Sequence, residues 1–423
     1  MKKILALIFI LTTFLFAQID ANLEIIKKTK TLPSIAVNIA SDSAEIATLS
    51  KIKEILVKDF IISGHFDVAL SNNELKFEDE PDVIRLANES LDLYLSLSAK
   101  KNLDGSYTLF TKLYDINAKT LTLQKSYTTL KENRYPFLAH RTAISVNDHF
   151  KAPSISWMDK FVVFSNYVGS KKANIMIGDY TLTYKKTIIR GGLNVFPKWA
   201  DPKQKSIYYT SYNYEKPTLV KLNIYTQQKN VIMQSDGMIV ASDVSKDGSK
   251  VLITASPNNQ PDIYLYNTLS KKAKQVTNYS GIDVGAQFID DESRMVFISD
   301  RLGYPNVFAK SFNSRGVERL VYHSRNNSSA TSYKDNIVYV SRENENEFAD
   351  RTFNLYLMST KSDNLKRLTS SGINQFPKFS QNGESLLFIK NLNGQSSVGI
   401  IRLNFNKSYL FPLYNGKIQS IDW

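Results

Sequence analysis

The chain has 423 residues, 43% hydrophobic and 22% charged, with 23 tyrosines, 23 phenylalanines and no cysteine. This is the composition of a folded, strand-rich protein with room for two or three domains, and it excludes disulfides, thiolate metal sites, cysteine nucleophiles and a lipidated cysteine. The formal net charge of +13 is scattered, with short clusters such as Lys27-Lys28-Thr29-Lys30, so a solvated basic surface is favoured over a polyanion site and no nucleic-acid partner is expected.

The first residues predict export. Met1-Lys2-Lys3 is followed by the apolar run Ile4 to Phe16 and then Ala17, the pattern of a secretory signal peptide spanning residues 1–17. Cleavage is expected after Ala17, with Ala21 as the alternative. The run is shorter than the roughly 20 residues that span a bilayer. Gln18 to Lys30 then carries Ile19, Ala21, Leu23 and Ile25 in alternation, the pattern of a strand that could add to a partner's sheet or to its own domain. A frayed terminus is the simpler alternative.

Residues 18–150 read as an N-terminal α/β domain. Ser34 to Ile39 is a short apolar strand; Asp42 or Ser43 is placed to cap a helix whose Leu49, Ile52, Leu56 and Phe60 share one face. Gly64 is a natural stop, and His65 to Val68 resumes as a strand. Leu91, Leu93, Leu95 and Leu97 alternate as a half-buried strand should. Turns at Asn102-Leu103-Asp104-Gly105 and Asn117-Ala118-Lys119 lead into two more strands. A helix from about Pro136 to Phe150 closes the unit, and Lys151-Ala152-Pro153 reads as a linker.

Residues 151–423 are repetitive. Trp157, Trp199, Val244, Phe288, Tyr333, Phe379 and Trp423 follow one another at intervals of 42, 45, 44, 45, 46 and 44 residues. Each interval holds four short strands, which predicts an all-β six-bladed β-propeller behind an α+β N-terminal domain. Turns are clearest at Ser245-Lys246-Asp247-Gly248 and Ser380-Gln381-Asn382-Gly383. Gln419 to Trp423 repeats only the strand before the turn, so this C-terminal strand is expected to close the ring by completing the blade that begins near Phe161.

These residues carry a family resemblance. Ser299-Asp300-Arg301-Leu302-Gly303-Tyr304-Pro305-Asn306-Val307-Phe308 resembles the central signature of TolB-family propeller repeats. Leu368-Thr369 followed by Phe376-Pro377-Lys378-Phe379-Ser380-Gln381-Asn382-Gly383 is similar to that family's junction between blades. The order of segments is similar too, although Trp157-Met158-Asp159-Lys160, Ala200-Asp201-Pro202 and Tyr333-Lys334-Asp335-Asn336 depart from the usual turn. The resemblance implies a monomeric, non-enzymatic periplasmic scaffold of the Tol–Pal system without a cofactor. It would bind the lipoprotein Pal through the propeller and TolA through the N-terminal segment. It would support outer-membrane integrity, constriction at cell division and colicin-type protein import.

Propeller geometry places the candidate contacts. The loop from the outer strand of one blade to the inner strand of the next reaches the channel mouth. These loops hold Asn194, Asp236, Met238, Ile282, Asp283, Asn326, Asn327, Ile373 and Asn374, taken here as the candidate partner-binding residues. The second candidate site is Ile19, Ala21, Leu23 and Ile25, and a segment lying beside both domains would couple the two sites.

No catalytic constellation stands out. His65, His140, His149 and His323 form no metal pair, and no nucleophile elbow, P-loop or dinucleotide fingerprint is present. Asp290-Asp291 falls in a blade turn. The competing reading is a propeller lyase or hydrolase acting on cell-envelope glycan or peptide, which needs histidine, arginine or carboxylate side chains converging in the channel. A propeller that binds a small ligand or ion is a third.

Overall fold

The computed structural model describes residues 32–70, 75–323, 325–342, 352–362 and 364–423. The expected signal peptide and the segment with Ile19, Ala21, Leu23 and Ile25 lie outside the described residues.

The N-terminal unit starts as expected. Strand β1 (Ser34–Ile39), helix α1 (Ile46–Ser63) and strand β2 (Asp67–Ala69) form a β-α-β unit with the two strands parallel. Leu49, Ile52, Leu56 and Phe60 are fully buried along one face of α1. Gly64 ends the helix at φ 72°, a left-handed conformation that glycine adopts without strain. The start of α1 differs from expectation: neither Asp42 nor Ser43 caps it. Asp42 instead accepts the Phe77 N–H at 3.0 Å, and the Ser43 hydroxyl accepts that of Ala99 at 3.3 Å. Both side chains are used in pairing to distant segments.

Helix α2 (Val83–Asn88), capped by Asp82, is too short to show a period. Strands β3 (Leu93–Lys101), β4 (Tyr107–Asp115) and β5 (Thr120–Thr129) complete a mixed sheet of order β2-β1-β3-β4-β5. Strand β3 is buried on both faces, not one. Leu93, Leu95 and Leu97 meet the core shared with α1 and helix α3 (Tyr135–His149), while Tyr94 packs with Leu86, Leu91 and Tyr114 behind the sheet.

Among the described residues the later strands form six four-stranded blades. Their inner strands are Lys417–Asp422, Asn194–Trp199, Ile239–Val244, Asp283–Ile289, Arg325–Tyr333 and Ile373–Phe379, for blades 1 to 6. The C-terminal strand pairs antiparallel with Val162–Gly169, so the ring closes as the sequence predicts. Of the evenly spaced marker residues, Trp157 lies in a short 3-10 helix (Ser156–Asp159), with its ring 5.3 Å from that of Trp423. Those from Trp199 to Trp423 fall where the inner strands reach the turn side of the ring, called here the lower face. There Ser245 donates to Asp247 and Ser380 to Asn382, each at 2.7 Å, and Gly248 and Gly383 take φ 74°. The outer-to-inner loops lie on the opposite, upper face.

The N-terminal domain packs on the lower face of blades 1 and 6. Ile155, Trp157, Tyr180 and Leu182 share one apolar core with Leu56, Phe60 and Leu138. A polar cluster is buried within it. His140 of α3 lies 2.8 Å from Asp59 of α1 through Nδ1 and 3.4 Å from Asp179 of blade 1 through Nε2. Tyr180 donates to the second oxygen of Asp59. Desolvation works to lower the His140 pKa, but the two carboxylates prevail and push it up to about 10. From blade 6, Arg402 donates to the Ser63 carbonyl at 3.0 Å and Tyr409 to that of Ile61 at 3.2 Å. No helix among the described residues is long and apolar enough to cross a membrane.

Candidate functional site

The central channel is shaped by irregularities in its own walls. Each of the six inner strands slips register against its neighbour through a bulge. In blades 2 and 6 the bulge is Phe-Pro. Phe196 and Phe376 hold φ at 53° and 52°, a conformation that costs bulky residues of the order of 1–3 kcal/mol and concentrates at functional sites. Phe196, Pro197, Phe376, Pro377, Met238 and Val284 line the upper part of the channel, around a cavity of about 250 Å³.

Below this apolar collar lies a charged waist. Lys198 sits 2.9 Å from Asp422 and 3.2 Å from Asp243. The second oxygen of Asp422 accepts the Trp199 N–H at 3.0 Å, and that of Asp243 accepts the Phe288 N–H at 2.9 Å. One ionic cluster therefore ties blades 1, 2, 3 and 4. Lys378 of blade 6 donates to Gln287 Oε1 of blade 4 at 2.7 Å, across the channel. Burial and repulsion by Lys198 outweigh Asp422 and Asp243 and lower the Lys378 pKa to about 8, whereas Lys198, held between the two carboxylates, is pushed up despite its burial.

The expected mouth residues separate into two groups. Asn194, Asp283, Asn327 and Asn374 are buried, with at most 1% exposure. Asn194 donates to the Gly191 carbonyl at 2.7 Å and accepts from Ser211 at 2.9 Å. Asp283 takes both its oxygens to Arg301 at 3.0 Å, and Asn374 donates to the carbonyls of Phe353 and Ser371 at 2.8 and 3.0 Å. The Asn327 N–H donates to the Pro305 carbonyl at 3.0 Å. These four hold the loops in place. Asp236 and Asn326 are exposed, while Met238, Ile282 and Ile373 are half-buried and only Met238 lines the cavity. Asp236 pairs with Lys216 at 2.5 Å.

The signature Ser299 to Asn306 has the same supporting role. Asp300 accepts the Ile282 N–H at 2.8 Å, so one upper loop fixes the next. It leaves Leu302 exposed, and Val168, Tyr212, Tyr214, Tyr322 and Tyr414 stand exposed on the same face. Tyr322 and Tyr414 are 76% and 80% exposed, in outer-to-inner loops flanking the mouth. Tyrosines of this kind suit protein recognition, having large rigid surfaces with a polar tip. Loop chemistry alone did not single them out. The paired Phe-Pro-Lys tripeptides were visible in sequence, but their convergence was not.

The histidines are dispersed. His65 contacts Asn147 at 2.6 Å, His149 contacts Thr122 at 2.7 Å, and His140 is in the domain interface. His323 does lie in an upper loop, 3.2 Å from the Tyr339 hydroxyl.

A family model described as "TolB beta propeller domain" matches residues 155–423. The "Tol-Pal system protein TolB" of Wolinella succinogenes is 48% identical over 425 residues, covering 100% of both chains. The chain belongs to the TolB family. Proteins of the same name from Helicobacter hepaticus and Campylobacter jejuni strain RM1221 are each 43% identical, again over 100% of both chains. Among solved structures, TolB from Acinetobacter baumannii superposes with a TM-score of 0.77 at 19% identity, covering 96% of this chain and 98% of that one. This supports the two-part fold with the propeller.

Proposed function

We propose that this protein is a monomeric, non-enzymatic periplasmic scaffold of the Tol–Pal system. It docks the lipoprotein Pal on the upper face of the propeller and TolA through residues 18–30, supporting outer-membrane integrity and constriction at division. In this reading residues 18–150 are the N-terminal domain and 151–423 the propeller, joined at Lys151-Ala152-Pro153. Full-length similarity to proteins named for the Tol–Pal system supports the assignment. The observation that carries the site is the pair of exposed tyrosines, Tyr322 and Tyr414, flanking a preformed apolar mouth on the face opposite the N-terminal domain. Asp236, Met238, Ile282, Asn326 and Ile373 belong to that surface or its edge, with Asn194, Asp283, Asn327 and Asn374 supporting it.

The test is titration calorimetry of the mature protein against the soluble domain of Pal from the same cell. Saturable one-to-one binding that survives removal of residues 18–30 is expected. Absence of binding removes the docking reading.

A further inference from the structure

Phe-Pro-Lys occurs at equivalent places in blades 2 and 6, on either side of blade 1. Both copies bulge, both hold a phenylalanine at positive φ, and both lysines line the channel. Their surroundings differ. Lys198 is saturated by two carboxylates, Asp243 and Asp422. Among the described residues, Lys378 has one hydrogen-bond acceptor, the neutral amide oxygen of Gln287. An ammonium carries three donors, so two of them lack a described protein acceptor. Lys378 is only partly buried and lies at the floor of the apolar collar, where something entering from the upper face would meet it.

We propose that the partner docked on the upper face inserts a loop whose aspartate or glutamate carboxylate reaches Lys378, with apolar flanks packed against Phe196, Phe376 and Met238. This rests on the docking reading above and adds what the channel recognises. The occupant follows from charge complementarity, because a carboxylate supplies a direct charged acceptor where Lys378 has only a neutral amide oxygen among the described residues, Asp422 and Asp243 acting on it from a distance while bonded to Lys198. The groups facing Lys378 are Lys198, Asp243, Asp422 and Gln287. The first repels it, and the two aspartates are already engaged by Lys198 and by main-chain N–H groups. A bound carboxylate therefore favours the protonated Lys378, and binding takes up protons where the free amine titrates, near pH 8.

The experiment measures the affinity of the full mature chain for the soluble domain of Pal at about pH 7 and about pH 9.5, for the wild type, Lys378→Met and Lys378→Arg. Wild-type binding weakens at least about tenfold at the higher pH. Lys378→Met is about tenfold weaker at pH 7 and insensitive to pH, whereas Lys378→Arg keeps most of the affinity at both values. Amide substitution of the inserted acidic residue in Pal gives the same loss, and no further loss in combination with Lys378→Met. Unchanged affinity and an unchanged pH profile in Lys378→Met overturn the inference while leaving docking intact. A loss in Lys378→Arg equal to that in Lys378→Met overturns it too. If the wild type does not bind at any pH, the docking reading fails and the inference fails with it. Should Lys378→Met not fold, the pH profile of Lys378→Arg against wild type decides the question.

Discussion

Asp422, the penultimate residue, accepts the main-chain N–H of Trp199 at 3.0 Å while its other oxygen holds Lys198 at 2.9 Å. The last strand of the closing blade is thereby bonded to the neighbouring blade 2. Asp422→Ala leaves Lys198 with Asp243 alone and orphans a buried N–H. A loss of about 3 kcal/mol is expected from breaking one side of a nearly buried pair. Deleting Gln419 to Trp423 also removes the Trp423 indole bond to the Phe379 carbonyl, 3.0 Å, and the pairing of Ser420, Ile421 and Asp422 with Ser165, Phe164 and Val163. Thermal melting should show the deletion below Asp422→Ala and both below wild type; an unchanged melt for the deletion contradicts closure.

The domain interface should be pH-sensitive. His140 has a folded pKa raised to about 10 from an ordinary value of 6.5, so its stabilisation is fully present below pH 6.5 and is lost as pH rises towards 10. Between pH 6.5 and 8 roughly 1–2 kcal/mol should be lost. Denaturant unfolding of the wild type against His140→Asn across that range checks this. A wild-type slope no steeper than that of the variant contradicts it.

Lys378 has the opposite sign. Its folded pKa is lowered to about 8, so stability should rise as pH climbs from 8 to 10.5, where the unfolded chain still binds the proton. Lys378→Met should therefore raise stability at pH 7 by roughly 1–2 kcal/mol and flatten that rise, the pattern of a residue kept for binding at a cost in stability. A lower melting temperature for the variant at pH 7 counts against this account of the waist.

The ring was legible because its signals are local and repeated. Turn residues such as Asp247-Gly248 and Asn382-Gly383 fold within four residues, and the marker spacing follows the inner strands. The TolB signature was readable for the same reason. What could not be read depends on convergence. Nothing near Lys198 or Lys378 in sequence says that Asp243 and Asp422 bond to the first and that Gln287 accepts from the second. Asp59, His140 and Asp179 come together from two helices and a blade. Asn194, Asp283, Asn327 and Asn374 have the residue types of an exposed binding loop, and the same donors and acceptors make them buried supports. Asp42 and Ser43 likewise have capping chemistry, but each is held by a distant N–H.

The upper-face tyrosines give the docking reading a mutational test. Tyr322→Ala and Tyr414→Ala should each weaken binding of the Pal domain by about tenfold, as truncated aromatic anchors do, with little change in melting temperature because both rings are largely in solvent. Equal affinity in the double variant argues against contact through these loops.

The absence of native cysteine makes site-specific crosslinking the most direct test of where the partner docks. Single cysteines replacing Tyr214 or Tyr414 on the upper face, and Tyr225 or Leu269 on the lower, would each carry a photo-crosslinker in the presence of the Pal domain. Crosslinks from Tyr214→Cys and Tyr414→Cys but not from Tyr225→Cys and Leu269→Cys are predicted. Crosslinks from the lower-face positions alone would contradict docking at the upper mouth.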